Sequence, residues 1–260
     1  MGLAIIHEGV MNIILFIILI GLSIGSFLNV CICRIPNEES ISFPPSHCTS
    51  CGYKLKFYDL IPVLSYFILK GRCRKCKEKI SIQYPLVEIT NAILYVALYI
   101  KFGCTFEFIK YSILLSILVV IGIIDLQTQY VYRITTIVGA VSGGVFFIIK
   151  WKIDNKFPGG YALGAIIGFF IIYIIVKVTG GMGEGDIEIA TICGLFLGIK
   201  QIIFAIFISF VTGGVVGLMY LIFKLKGRKD EIAFGPYLVL GTITAIFFGV
   251  NIINWYISLC

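Results

Sequence analysis

The sequence predicts an all-α polytopic membrane protein of about eight transmembrane helices with one long cytoplasmic zinc-binding loop. Three observations carry that expectation. Of 260 residues, 59% are hydrophobic and only 13% charged, against roughly 25% charged in an ordinary soluble domain. Mean hydropathy is +1.01, which is more apolar surface than a soluble core could hide. The apolar residues are also gathered into runs near the roughly 20 residues that a helix needs to cross a bilayer.

Residues 1–33 hold the first run, 11–32. A secretory signal would place basic residues before its apolar core and small residues at a cleavage site. Only His7 and Glu8 precede this run, and it leads straight into Arg34, so it reads as an uncleaved span with its N-terminus outside. Residues 34–84 are too polar to span and form the one long loop. Residues 85–260 carry seven more runs, at 85–100, 108–124, 134–150, 160–178, 187–199, 202–223 and 234–256, joined by short turns; 187–199 is short for a span. In this orientation only Lys101, Lys110, Lys150, Lys152, Lys156 and Lys200 fall outside. The other Lys and Arg residues, Lys224, Lys226, Arg228 and Lys229 among them, fall on the cytoplasmic side, which is the positive-inside pattern. The net charge of +7 is therefore a matter of topology in a lipid bilayer and predicts no nucleic-acid partner. No internal repeat shows in the sequence.

The loop carries CTSC (Cys48, Cys51) and CRKC (Cys73, Cys76), with 21 residues between the pairs. Two such knuckles are the layout of a tetrahedral zinc site, since each short turn lets two thiolates converge on one ion. Gly52 and Gly71 stand where tight turns call for positive φ, and Arg72, Arg74, Lys75 and Lys77 would offset the charge of four thiolates. A pair of disulfides or a redox dithiol are the competing readings, and a cytoplasmic location disfavours stable disulfides. Four thiolates leave no open coordination position, so the predicted role is structural. Cys31, Cys33, Cys104, Cys193 and Cys260 show no ligand spacing and are expected to be small buried hydrophobes.

Five aspartates occur. Asp59, Asp154 and Asp230 lie in charged or loop stretches and call for no special role. Asp125 follows the unbroken run SILLSILVVIGII, and Asp186 ends GMGEGD and opens the 187–199 run from the same side. A carboxylate at membrane depth costs about 2.5–3.5 kcal/mol on insertion scales, so such residues are functional candidates. Two at matched depth form a candidate dyad in which one proton is shared, because adjacent like charges do not both ionise easily. One carboxylate then takes a proton from water while the other protonates a scissile carbonyl. Gly183 and Gly185 would let a substrate backbone approach Asp186. The plainer reading makes Asp186 a helix N-cap. Glu88, near the start of the second span, is explained by first-turn helix electrostatics.

Several collinear stretches together resemble the type IV prepilin peptidases. They are GSFLNVCICRIP (Gly25–Pro36), SHCTSCG with CRKC, DLIPVLSYFILKGRC (Asp59–Cys73), ISIQYPLVE (Ile80–Glu88), GMGEGD and FGPYLVLG (Phe234–Gly241). The resemblance implies an eight-span inner-membrane aspartic protease of the GxGD type, which removes the basic leader of prepilins and pseudopilins at the cytoplasmic face. It implies Asp125 and Asp186 as the catalytic pair and Cys48, Cys51, Cys73 and Cys76 as zinc ligands. Family members with the cysteine loop commonly also N-methylate the new N-terminus with S-adenosylmethionine. The sequence departs from the family pattern at Tyr132, where the family has proline, at Arg133, where it has an acid, and at Glu188, where it has lysine. The paired sign inversion at Arg133 and Glu188 admits two readings. One is an ion pair between the third-to-fourth turn and the start of the sixth span. The other is two independent changes at a wet membrane edge, where an exposed pair contributes only about 0.2–1 kcal/mol.

A membrane ion transporter or channel using Asp125 and Asp186 is the alternative from another class. It leaves the four-cysteine loop unexplained and sets the acids near one face, away from the midplane. A GxGD protease without methylation would be expected to lack the CxxC pairs.

Overall fold

A backbone that crosses lipid has to satisfy its own hydrogen bonds, so each long apolar run folds as a helix. The computed structural model describes residues 2–223 and 233–258, with side chains from Met11 onward. His7, Glu8, Lys224, Lys226, Arg228, Lys229, Asp230 and Cys260 thus fall outside the described side chains. In chain order the helices are α1 (Gly2–Arg34), the single turn α2 (Leu64–Ile68), α3 (Gln83–Phe102), α4 (Phe106–Thr128), α5 (Arg133–Asp154), α6 (Gly159–Thr179), α7 (Glu184–Leu197), α8 (Ile199–Ile222), α9 (Gly235–Thr244) and α10 (Val250–Ile257). A π-turn at Ala245–Gly249 joins α9 to α10 in one rod.

Seven of these segments are long and apolar enough to cross a membrane. The exception among the predicted spans is α7. Its 14 residues reach about 21 Å at 1.5 Å per residue, short of the roughly 30 Å hydrocarbon layer.

The chain forms two units, residues 1–112 and 113–260. In the first, α1 packs on α3 through Gly21 and Gly25, four residues apart. A Cβ on Gly21 would lie 2.7 Å from the Ala92 Cα, and one on Gly25 would lie 2.6 Å from the Glu88 Cα. This is the small-residue contact by which membrane helices approach closely. Polar side chains then bridge the two backbones: Asn91 Nδ2 donates to the Gly21 carbonyl at 2.8 Å and Asn29 Nδ2 to the Tyr84 carbonyl at 2.9 Å.

In the second unit α7 is the centre, packed by α5, α6, α8 and α9. Ile189, Ala190 and Cys193 on it are wholly buried. Gly164 and Gly168 of α6 lie directly on α7 backbone, each with a notional Cβ 2.5 Å from a carbonyl oxygen, of Gly194 and Ala190 respectively. A helix sheathed by protein does not need the length of one facing lipid, so α7 stays short.

One expectation fails here. Cys31 and Cys193 are buried, but Cys33 and Cys104 are exposed; the first ends α1 with its Sγ 3.3 Å from the Tyr84 hydroxyl, and the second lies in the α3–α4 turn. At Tyr132, where the family has proline, α5 starts cleanly. Tyr132 is the N-cap with φ −79°, close to the value that proline would impose.

Candidate active site

Asp125 lies in the last turn of α4, where its charge meets the unfavourable end of its own helix dipole. Relief comes from another helix. The backbone N–H of Gly235, the first residue of α9, donates to Asp125 Oδ2 at 3.0 Å. Gly122, one turn back on α4, opens room for α9, since a Cβ there would lie 3.1 Å from Val239 Cγ2. A Cβ on Gly235 itself would lie 2.6 Å from Asp125 Oδ2, so only glycine lets this N–H reach the carboxylate. Pro236 follows in the first turn, where a missing N–H costs nothing.

Asp186 is the third residue of α7, and Gly183, not Asp186, is the N-cap. Its carboxyl is thus in a first turn, at the favourable end of the dipole. Asp125 and Asp186 are 4% and 5% exposed and lie within electrostatic range of one another. Each carboxyl is at the N-terminal end of a helix, Asp186 on α7 and Asp125 facing α9, and the two groups share one buried, low-dielectric region. Such a pair favours holding one proton between them.

The glycines of GMGEGD divide their work differently from the sequence expectation. Gly185 does not open a path to Asp186: a Cβ on it would lie 2.5 Å from Val131 Cβ. It seats the α4–α5 turn, and so Asp125's helix, against the start of α7. At Gly183 the nearest group is Asp186 Oδ2, 3.9 Å from a notional Cβ, and this is the open side of the acid. The Arg133–Glu188 ion pair is not formed. Glu188 accepts the Thr136 hydroxyl at 2.5 Å, and Arg133 is exposed. Thr136, one turn into α5, reaches Glu188 where Arg133, at the helix start, does not.

In the first unit, the Sγ atoms of Cys48, Cys51, Cys73 and Cys76 all lie within 4.8 Å of one another, with Cys48 and Cys76 at 3.8 Å. Tetrahedral zinc with Zn–S of about 2.3 Å requires sulfurs about 3.8 Å apart, so the donor set is compatible with structural zinc. The two knuckles repeat one backbone pattern 25 positions apart. Cys48 N–H donates to the Tyr53 carbonyl and Gly52 N–H to Cys48; Cys73 N–H donates to Glu78 and Lys77 N–H to Cys73. The partner of Gly52 (φ +67°) is therefore Lys77 (φ +62°). Gly71 takes the expected positive φ, +66°, and a Cβ on it would lie 2.9 Å from the Tyr66 hydroxyl. N–H groups of Cys76 and Lys75 lower the Cys73 thiol to about 6. Against the Glu78 N–H, burial and the neighbouring thiols push Cys76 up to about 12, so of this pair Cys73 is the favoured thiolate.

Asp59 and Glu88 have roles that their sequence context hides. Asp59 is buried and ties the two knuckles together: Oδ1 pairs with Arg74 at 2.8 Å, and Oδ2 accepts the Lys56 N–H at 3.2 Å and the Tyr53 hydroxyl at 3.3 Å. Desolvation alone would raise its carboxyl; the Arg74 and Lys56 hydrogen bonds outweigh that and hold it below the ordinary value. Glu88 is in the second turn of α3, beyond first-turn electrostatics, and its Oε2 accepts the Val63 N–H at 2.7 Å. It fastens the loop to the α1–α3 pair at a strained residue, Val63 at φ +62°. Gly235, Val131 and Thr136 carried no role in the sequence expectation. The Gly-Pro pair announced a helix start, but nothing local said which acid that start would face.

Residues 19–102 match the family profile described as the bacterial peptidase A24 N-terminal domain, and residues 112–218 match the type IV leader peptidase family. The chain is 32% identical to a prepilin leader peptidase/N-methyltransferase of Bacillus subtilis (strain 168), across 95% of this chain and 98% of that protein. It is 34% identical to one of Myxococcus xanthus (strain DK1622), across 80% and 63%, and 30% identical to one of Legionella pneumophila, across 92% and 93%. No solved structure matches significantly. On the match over nearly the whole of both chains, this protein belongs to the type IV leader peptidase family.

Proposed function

We propose that the protein is an aspartic endopeptidase of the bacterial inner membrane that removes the basic leader from prepilins or pseudopilins and N-methylates the new N-terminus. The observation that carries the reading is the buried Asp125–Asp186 pair with the Gly235 N–H on Asp125. One carboxylate takes a proton from water as the water attacks the scissile carbonyl, and the other, protonated, donates to the carbonyl oxygen. When the tetrahedral diol collapses, one of its hydroxyls gives a proton back to the dyad as the leaving amide nitrogen takes one from it, so the dyad ends singly protonated. The positive-inside pattern favours an N-terminus outside, with the cysteine loop and both acids at the cytoplasmic face.

Cys48, Cys51, Cys73 and Cys76 would hold zinc, whose contribution is folding free energy for the loop. Methylation would draw its methyl group from S-adenosylmethionine, in keeping with the relatives' printed names. An ion transporter built on the same acids leaves both the family match and the cysteine cluster without a role.

The test is incubation of the purified, lipid-reconstituted protein with a prepilin and labelled S-adenosylmethionine. A shortened, methyl-labelled product is expected, and Asp125→Asn or Asp186→Asn should each abolish shortening. A full-length prepilin after incubation with folded wild-type protein rejects the protease reading. Shortening without label rejects methylation alone.

A further inference from the structure

The 34–84 loop presents a group of large apolar side chains at its surface. Phe57, Leu60, Ile61, Leu64, Phe67 and Ile68 are 81, 42, 42, 60, 66 and 73% exposed. They lie in the 3-10 turn Phe57–Asp59, the turn that follows it and α2. Large apolar side chains grouped this way ordinarily face a core. Asp59, the acid within the stretch, is the residue turned inward, held by Arg74 and Tyr53. The segment is therefore anchored to the cysteine fold by its polar residue and shows its apolar side outward. A contiguous surface of this kind marks an interaction site.

Two observations identify the partner. Ile61, Pro62, Val63 and Leu64 continue into an apolar cavity of about 750 Å³ that is also walled by Leu22 of α1 and Ile93 of α3. Both helices have the length and composition of membrane spans, so the loop's apolar side is continuous with surface that faces lipid tails. The exposed lysines Lys54, Lys56 and Lys70 flank the stretch, where they would meet anionic headgroups.

We infer that residues 57–68 are an interfacial anchor, lying in the headgroup–acyl boundary of an anionic phospholipid membrane. The anchor sets the depth of the cysteine fold relative to the spans and holds it on the membrane surface. This inference does not rest on the protease reading, and its test has no activity readout.

The full chain carrying Trp151→Phe, Trp255→Phe and a single reporter, Phe67→Trp, is reconstituted in phosphatidylcholine–phosphatidylglycerol vesicles. The acyl chains carry bromine either near the headgroup or near the terminal methyl. Quenching roughly twofold stronger by the shallow bromine is expected, as for a segment about 5–10 Å into the boundary. Leu64→Trp in the same background should behave alike, while Glu39→Trp, in the exposed polar part of the loop, should escape quenching. Lys56→Glu with Lys70→Glu should reduce the shallow quenching. Quenching of both apolar-face reporters no greater than at Glu39→Trp overturns the inference, and this is the result that a cover of protein, from this chain or a second copy, would give. Stronger quenching by the deep bromine overturns it as well, since the segment would then be buried in the membrane interior.

Discussion

Gly235 gives its backbone N–H to Asp125 Oδ2 at 3.0 Å, and a Cβ on Gly235 would lie 2.6 Å from that same oxygen. Donor and clearance therefore come from one residue. Gly235→Ala should leave protein level and helix content unchanged but displace the Asp125 carboxyl. Displacements on the ångström scale cost about 100-fold in rate, and a loss of that order in prepilin cleavage, with normal expression, is expected. Cleavage within about twofold of wild type would show that the Gly235 contact does not position the acid.

In the proposed mechanism Asp125 and Asp186 share one proton, so their removal should not add. Asp125→Asn and Asp186→Asn should each lower cleavage to background, and the double variant should be no slower than either single one. Residual cleavage in one single variant that disappears in the double would separate their roles.

Gly185 and Gly183 should differ in kind. Gly185→Ala puts a methyl on Val131 and should lower the amount of folded protein, with partial recovery when Val131→Gly is added. Gly183 is the α7 N-cap with φ −75° and ψ 151°, a conformation that alanine accepts. Gly183→Ala should fold normally and raise KM for prepilin more than it lowers kcat, because its open side faces Asp186. Equal behaviour of the two variants would remove the distinction.

Lys77 occupies the position that Gly52 fills in the first knuckle, at nearly the same positive φ. A left-handed conformation costs a non-glycine residue about 1–2 kcal/mol. Lys77→Gly should therefore tighten metal retention against a competing chelator and Gly52→Ala should weaken it. Cys73→Ser should release the metal and expose the loop to protease. Purified wild-type protein without about one zinc per chain would refute the metal assignment.

Glu188 answers to Thr136, and its sign inversion relative to the family is not matched by a contact with Arg133. Glu188→Lys combined with Arg133→Glu should show additive damage with no recovery. Thr136→Val, which leaves the carboxylate without its hydroxyl donor, should cost about 0.5–1.5 kcal/mol of stability, measured by thermal unfolding in detergent. Recovery of wild-type stability in the charge-reversed double variant would restore the ion pair.

The membrane class, the helical runs and the pairing of the four cysteines follow from the chain alone, because lipid leaves a twenty-residue apolar run one conformation and two CxxC turns one common geometry. Asp125 and Asp186 stand out for the same reason: a charge beside an uninterrupted apolar run needs a purpose. Tertiary packing decided what no local pattern holds. Gly185 reads as room for a substrate until Val131 is seen filling the space. Glu88 looks like a residue of its own helix until Val63, 25 positions away, is found on it. Asp59 resembles a solvated acid until both knuckles close around it. The Gly235 N–H reaches Asp125 across 110 positions. In each case a short-range reading fails because buried polar groups have to find partners, and in a folded chain the nearest partner in space is seldom the nearest in sequence.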